Sequence, residues 1–97
     1  MPARLSLYLI AIDLGEEPSE LLDFLNRNHG VEIGSCVWVV PWQKHFALLL
    51  GQIERLLPPR TGICLVPLLP DAEMIQSRGN SVVARKLKTL GLRSQPE

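Results

Sequence analysis

One carboxylate stands where hydrolytic chemistry on a phosphodiester would want it. Asp13 closes the first apolar run of the chain, Leu5-Ser6-Leu7-Tyr8-Leu9-Ile10-Ala11-Ile12, and Leu14-Gly15 follow it. A divalent ion that activates water takes hard oxygen ligands, and a two-fold axis could bring two copies of one such aspartate together. The same position suits an aspartate that simply closes a turn or caps a helix. Both remain open. Ser35 lies beside Gly34, with no His–Asp pair placed to activate it as a nucleophile. It is expected to be a supporting polar contact near Asp13. His29 ends a predicted helix, where the dipole favours a cation, and His45 starts the next. Neither has a carboxylate one turn away on its own helix, so neither reads as a metal ligand.

The one basic cluster is Arg85-Lys86-x-Lys88. Such a row can neutralise phosphates, or it can be the solvated face of a helix. Charge is unevenly placed along the chain. Residues 1–58 hold four basic and seven acidic side chains, a net of −3, and residues 59–97 hold six and three, a net of +3. The whole is neutral, which argues against a nucleic-acid binder held by bulk charge. Trp38 and Trp42 are expected in packing or at an interface.

The elements that would carry these residues follow from periodicity. The run from Leu5 is apolar on both parities, so it predicts a strand covered on both faces. Pro18 and the carboxylates Glu16, Glu17 and Glu20 mark a helix start, and the helix spans about residues 18–28 with Gly30 as its left-handed stop. Residues 31–40, rich in β-branched side chains, are extended, either as one strand bulged at Gly34-Ser35 or as two short strands, closed by Pro41. Phe46, Leu49, Leu50, Ile53, Leu56 and Leu57 share one helical stripe, ended by Pro58-Pro59. Residues 62–69 form a last strand, in which Pro67 calls for an edge or an end.

The order β–α–β(β)–α–β predicts an α+β, ferredoxin-like two-layer sandwich over residues 1–73, with both helices on one sheet face. Residues 74–97 form a C-terminal tail, with a short helix over 81–90. Apolar residues make up 46% of the chain, enough for a packed core. Cys36 and Cys64 lack disulfide or zinc spacing and read as small buried residues in a reducing, cytoplasmic compartment. No apolar run is long enough for a membrane span. Two helices cover one sheet face and no more, so the second apolar face needs a cover. The tail helix is short and half charged, which favours a second copy of the chain, a homodimer through the sheet face.

The strand ending in Asp13, the segment Gly30-Val31-Glu32-Ile33-Gly34-Ser35-Cys36-Val37-Trp38, the Leu-rich helix and the strand Ile63 to Leu69 together resemble the CRISPR-associated protein two family and its SinR-like and VapD-like relatives. The resemblance spans about residues 5–70 and implies a ferredoxin-like homodimer. It implies either a metal-dependent nuclease acting on DNA or RNA with Mg²⁺, or a subunit that binds duplex DNA beside an integrase subunit in antiviral defence. It assigns Asp13 as the catalytic metal ligand and matches Ser35 to the serine after the second-strand glycine. The chain departs from the family pattern at Ile12, where a tyrosine is usual. It departs again at Gly15, Glu16, Glu17 and Glu20, where arginines and lysines are frequent. The acidic first loop and the lack of convergent catalytic residues favour an alternative: a non-catalytic dimer acting as a regulatory or assembly module.

Overall fold

A computed structural model describes residues 6–69, 73–74 and 81–94. The elements run β1 (Ser6–Asp13), α1 (Ser19–Arg27), β2 (Val31–Gly34), β3 (Val37–Trp42), α2 (Phe46–Arg55), β4 (Gly62–Leu68), β5 (Glu73–Met74), α3 (Ser81–Thr89) and β6 (Arg93–Ser94). It is a mixed α+β fold. The main sheet is antiparallel, ordered β2-β3-β1-β4, and β5 and β6 form a two-residue parallel pair. Each of α1 and α2 connects two strands separated in the sheet by one intervening strand. Residues 75–80 and 95–97 of the expected C-terminal tail lie outside the described residues.

Register sorts the sheet's two faces. Ile10 stands between Trp38 and Leu65, and Tyr8 between Val40 and Pro67. That parity packs against Leu21 and Leu25 from α1, Leu49 and Ile53 from α2, and Leu57 just past the end of α2, so both helices cover one face, as expected. Leu21, Leu25, Leu49 and Ile53 are fully buried, and each such side chain contributes about 2 kcal/mol. On the opposite parity Leu9 stands between Val39 and Val66, and Ala11 between Val37 and Cys64.

The chain itself covers part of this face, where the sequence favours a second copy as the cover, with folding back of residues 74–92 as the alternative. Helix α3 packs on it: Leu87 and Leu92 are buried with Val31 and Val39, and Leu7, Leu68, Val83 and Leu90 join them. The charges on α3 do not prevent this, because Val83 and Leu87 share one side while Arg85, Lys86 and Lys88 stay exposed. The cover is partial. Leu9, Ala11 and Val37 stay half-buried, Cys64 is exposed, and Val66 is 41% exposed. The expectation that Cys64 is buried fails for that reason; Cys36 is buried.

Residues 31–40 are two strands, not one bulged strand. Ser35 and Cys36 turn between β2 and β3, with Cys36 in the left-handed region at φ 57°. The second strand also runs through Pro41 to Trp42 rather than closing at the proline. At the end of α1 the left-handed residue is His29, at φ 63°, and not Gly30. Gly30 is required for a different reason: a Cβ there would lie 2.9 Å from the carbonyl oxygen of Leu25 and 3.1 Å from Cε3 of Trp38. Helix α2 starts one residue after His45, whose Nδ1 accepts from the Ala47 N–H at 3.2 Å as an N-cap. Phe46 lies outside the core at 49% exposure, its ring 4.4 Å from that of His45.

Candidate functional site

Asp13 and Ser35 come to the same end of the sheet. Asp13 is the last residue of β1, exposed, in register with Gly62 of β4. The Ile12 N–H donates to the Cys36 carbonyl at 3.0 Å, which ties the Ser35-Cys36 turn to the end of β1. Cys36 Sγ donates to the Leu14 carbonyl at 3.0 Å, drawing the following loop to the same turn. Ser35 itself is exposed.

The organising group at this end is one that periodicity did not single out. Glu17 accepts from the Cys36 backbone N–H at 2.9 Å, and both its oxygens lie 3.2–3.3 Å from the indole Nε1 of Trp38. Trp38 is 3% exposed, so its N–H has to find a partner inside the protein. That need was the available signal: an inward tryptophan on the hairpin and a carboxylate on the loop that faces it. The Glu32 carboxyl is held above its ordinary value of 4.5. Loss of water around it is the leading cause although the residue as a whole is exposed, followed by repulsion from Glu17 and their hydrogen bond. The Cys36 thiol is also pushed up, by burial first and then by the Glu17 charge and the hydrogen bond to Glu17. A thiol held protonated in this way is a poor nucleophile.

The donor set around Asp13 does not fit a divalent ion within one chain. No group of three or more His, Cys, Asp or Glu side chains that could hold a metal forms among the described residues. Glu17 and Glu32 are engaged with each other, with Cys36 and with Trp38, which leaves Asp13 as a single exposed carboxylate. Trp38 and Trp42 are both buried, at 3% and 7% exposure, and serve packing.

The basic cluster lies elsewhere. Arg85, Lys86 and Lys88 are all exposed on α3, a helix without a carboxylate, on the sheet face opposite to α1 and α2. Among the described residues no helix is long and apolar enough to cross a membrane. No protein-family model, curated protein or solved structure matches the chain.

Proposed function

We propose that the chain is a homodimeric, ferredoxin-like protein that associates with nucleic acid through the exposed row Arg85, Lys86 and Lys88. The observation that carries this reading is the exposed basic row of α3: three exposed cations, no acid within the helix, and an apolar side anchored on the sheet. Phosphates are the ligands such a row suits, because each neutralised phosphate releases condensed counterions. The ferredoxin-like assignment is supported by the interleaved strand order β2-β3-β1-β4 with α1 and α2 on one face. Self-association is supported by the strip that α3 leaves uncovered, Leu9, Ala11, Val37, Cys64 and Val66, beside the edge strand β4. Asp13 is at a strand end near Ser35, and among the described residues of one chain no further carboxylates, histidines or cysteines gather with it as the ligands that Mg²⁺-dependent cleavage requires. The reading is therefore binding rather than catalysis.

Two measurements test it. Duplex DNA and RNA titrated at increasing salt should bind with a log K that falls linearly with log salt. Replacing Arg85, Lys86 and Lys88 together by glutamine should weaken binding and flatten that slope by about 2–3 units. Sedimentation equilibrium should give twice the chain mass of 10.8 kDa, and Val66→Asp should return it to the monomer. No salt-dependent binding would leave the non-catalytic regulatory or assembly module. A compact monomer would remove the dimer.

A further inference from the structure

We propose that a cleft between the end of α1 and the start of α2 binds a small nucleotide, its phosphate held by Arg27, His29 and Lys44. The cleft has a volume of about 490 Å³ and is also lined by three amides, Asn28, Gln43 and Gln52, and by no carboxylate. That composition runs against the chain around it. Residues 1–58 carry seven acids and only four basic residues, yet two of those four basic residues meet here with an imidazole. Among the described residues no ion pair engages Arg27, His29 or Lys44, so their charge and donors are available to a ligand. The carboxylates of Glu20 and Asp23 line the adjoining hollow, which shares Arg27 and Gln52 with the cleft and where Arg55 also lies.

The carbonyl end of α1, which would repel an anion, is masked. Arg27 Nε donates to the Asp23 carbonyl at 3.3 Å and Asn28 Nδ2 to that of Phe24 at 2.8 Å. The Gly30 and His29 N–H groups take the carbonyls of Leu25 and Asn26 at 2.8 and 3.1 Å. With these oxygens capped, the negative pole of the helix is largely satisfied from within. Arg27 keeps its two terminal nitrogens for a phosphate, a geometry that guanidinium matches in a fork. His29 is fixed at the rim by its left-handed backbone.

Size and floor decide the class of ligand. A cleft in the range of about 300–1,000 Å³ takes a whole small molecule rather than a lone phosphate. Leu90, half-buried, gives it apolar surface, Pro41 and Trp42 back it from the core, and the Trp42 indole N–H is already bonded to the His45 carbonyl at 3.0 Å. Trp42, 7% exposed, therefore closes the floor from the core side and makes no competing polar demand, and Leu90 is the apolar side chain that meets a ligand. The amides can both donate to and accept from a base edge. This site is separate from α3's exposed cations, and its occupancy does not depend on them.

Isothermal titration of the full chain with adenosine 5′-monophosphate, inorganic phosphate and adenosine tests the assignment. The monophosphate should bind, with phosphate and adenosine each at least about tenfold weaker. Lys44→Gln, at an exposed residue with no hydrogen bond among the described residues, should weaken the monophosphate about tenfold without moving Tm. Arg27→Gln should weaken it as well, with a small loss of Tm from the missing hydrogen bond to the Asp23 carbonyl, and Arg60→Gln, in a different hollow, should change nothing. The proposal is overturned if the monophosphate gives no heat up to ~5 mM, a limit of about 3 kcal/mol. Adenosine or phosphate binding as tightly as the monophosphate overturns it too, as does unchanged affinity in Lys44→Gln.

Discussion

Glu17 and Trp38 hold the loop after β1 against the β2–β3 hairpin through a carboxylate–indole contact of 3.2 Å, with the same carboxylate 2.9 Å from the Cys36 N–H. Both donors are at buried residues, so removing the acceptor leaves them unpaired. Glu17→Ala should therefore cost about 2–3 kcal/mol of stability, the range for hydrogen bonds to a charged group and the desolvation they offset. Denaturant unfolding measures the loss. Trp38 emission should shift to the red as water reaches the indole. Trp38→Phe removes the donor and keeps most of the volume, so the double variant should fall well short of the sum of the two. Additive losses would mean that the contact contributes nothing.

Glu32 gives a pH dependence of defined sign. Its folded-state value lies above the ordinary 4.5, so between the two the folded chain binds the extra proton. The favourable contribution is present below the ordinary value and is lost as pH rises through the raised one. Glu32→Gln keeps a donor for Glu17 and cannot ionise. It should raise Tm at pH 7, with the gain shrinking and vanishing as pH falls toward 4. A gain that persists unchanged at pH 4 would contradict the assigned cause.

The positions at which the sequence and the structure diverge share a physical origin. The faces of β1 were legible, because every residue from Leu7 to Ile12 is apolar and its parity is set by the pleat. The core stripe of α2 was legible through Leu49, Ile53 and Leu57, whereas Phe46 fits the same period yet precedes the first full turn and stacks on His45. Gly34-Ser35 was ambiguous because glycine serves a bulge and a hairpin alike, and the left-handed residue there is Cys36, a residue without that preference. His29 took the left-handed position for a related reason: Gly30 is held by close packing, so its neighbour bears the turn. Glu17 was legible only as a helix-start carboxylate, since its contacts lie about twenty residues away in sequence. The nucleotide cleft was invisible for the same reason. Arg27, Lys44 and Gln52 are isolated charges and amides until α1 and α2 are laid side by side.

Two glycines should respond to alanine with opposite signs. At Gly30 the added methyl would meet Leu25 O at 2.9 Å, Trp38 Cε3 at 3.1 Å and Val40 Cγ2 at 3.2 Å. The first of these is backbone and cannot yield alone, so α1 must move off β3. Gly30→Ala should cost about 1–3 kcal/mol, the usual range for overpacking. Gly51 sits in the middle of α2, and a Cβ there would meet nothing within 4 Å. Its helical backbone is one alanine prefers, through lower entropy in the unfolded chain. Gly51→Ala should therefore stabilise the fold by about 0.5–1 kcal/mol. Unfolding midpoints of the two variants, measured side by side with equal m-values, read the pair. A neutral Gly30→Ala would mean that the contact between α1 and the hairpin is looser than 2.9 Å implies. A destabilising Gly51→Ala would mean that the exposed side of α2 is not free.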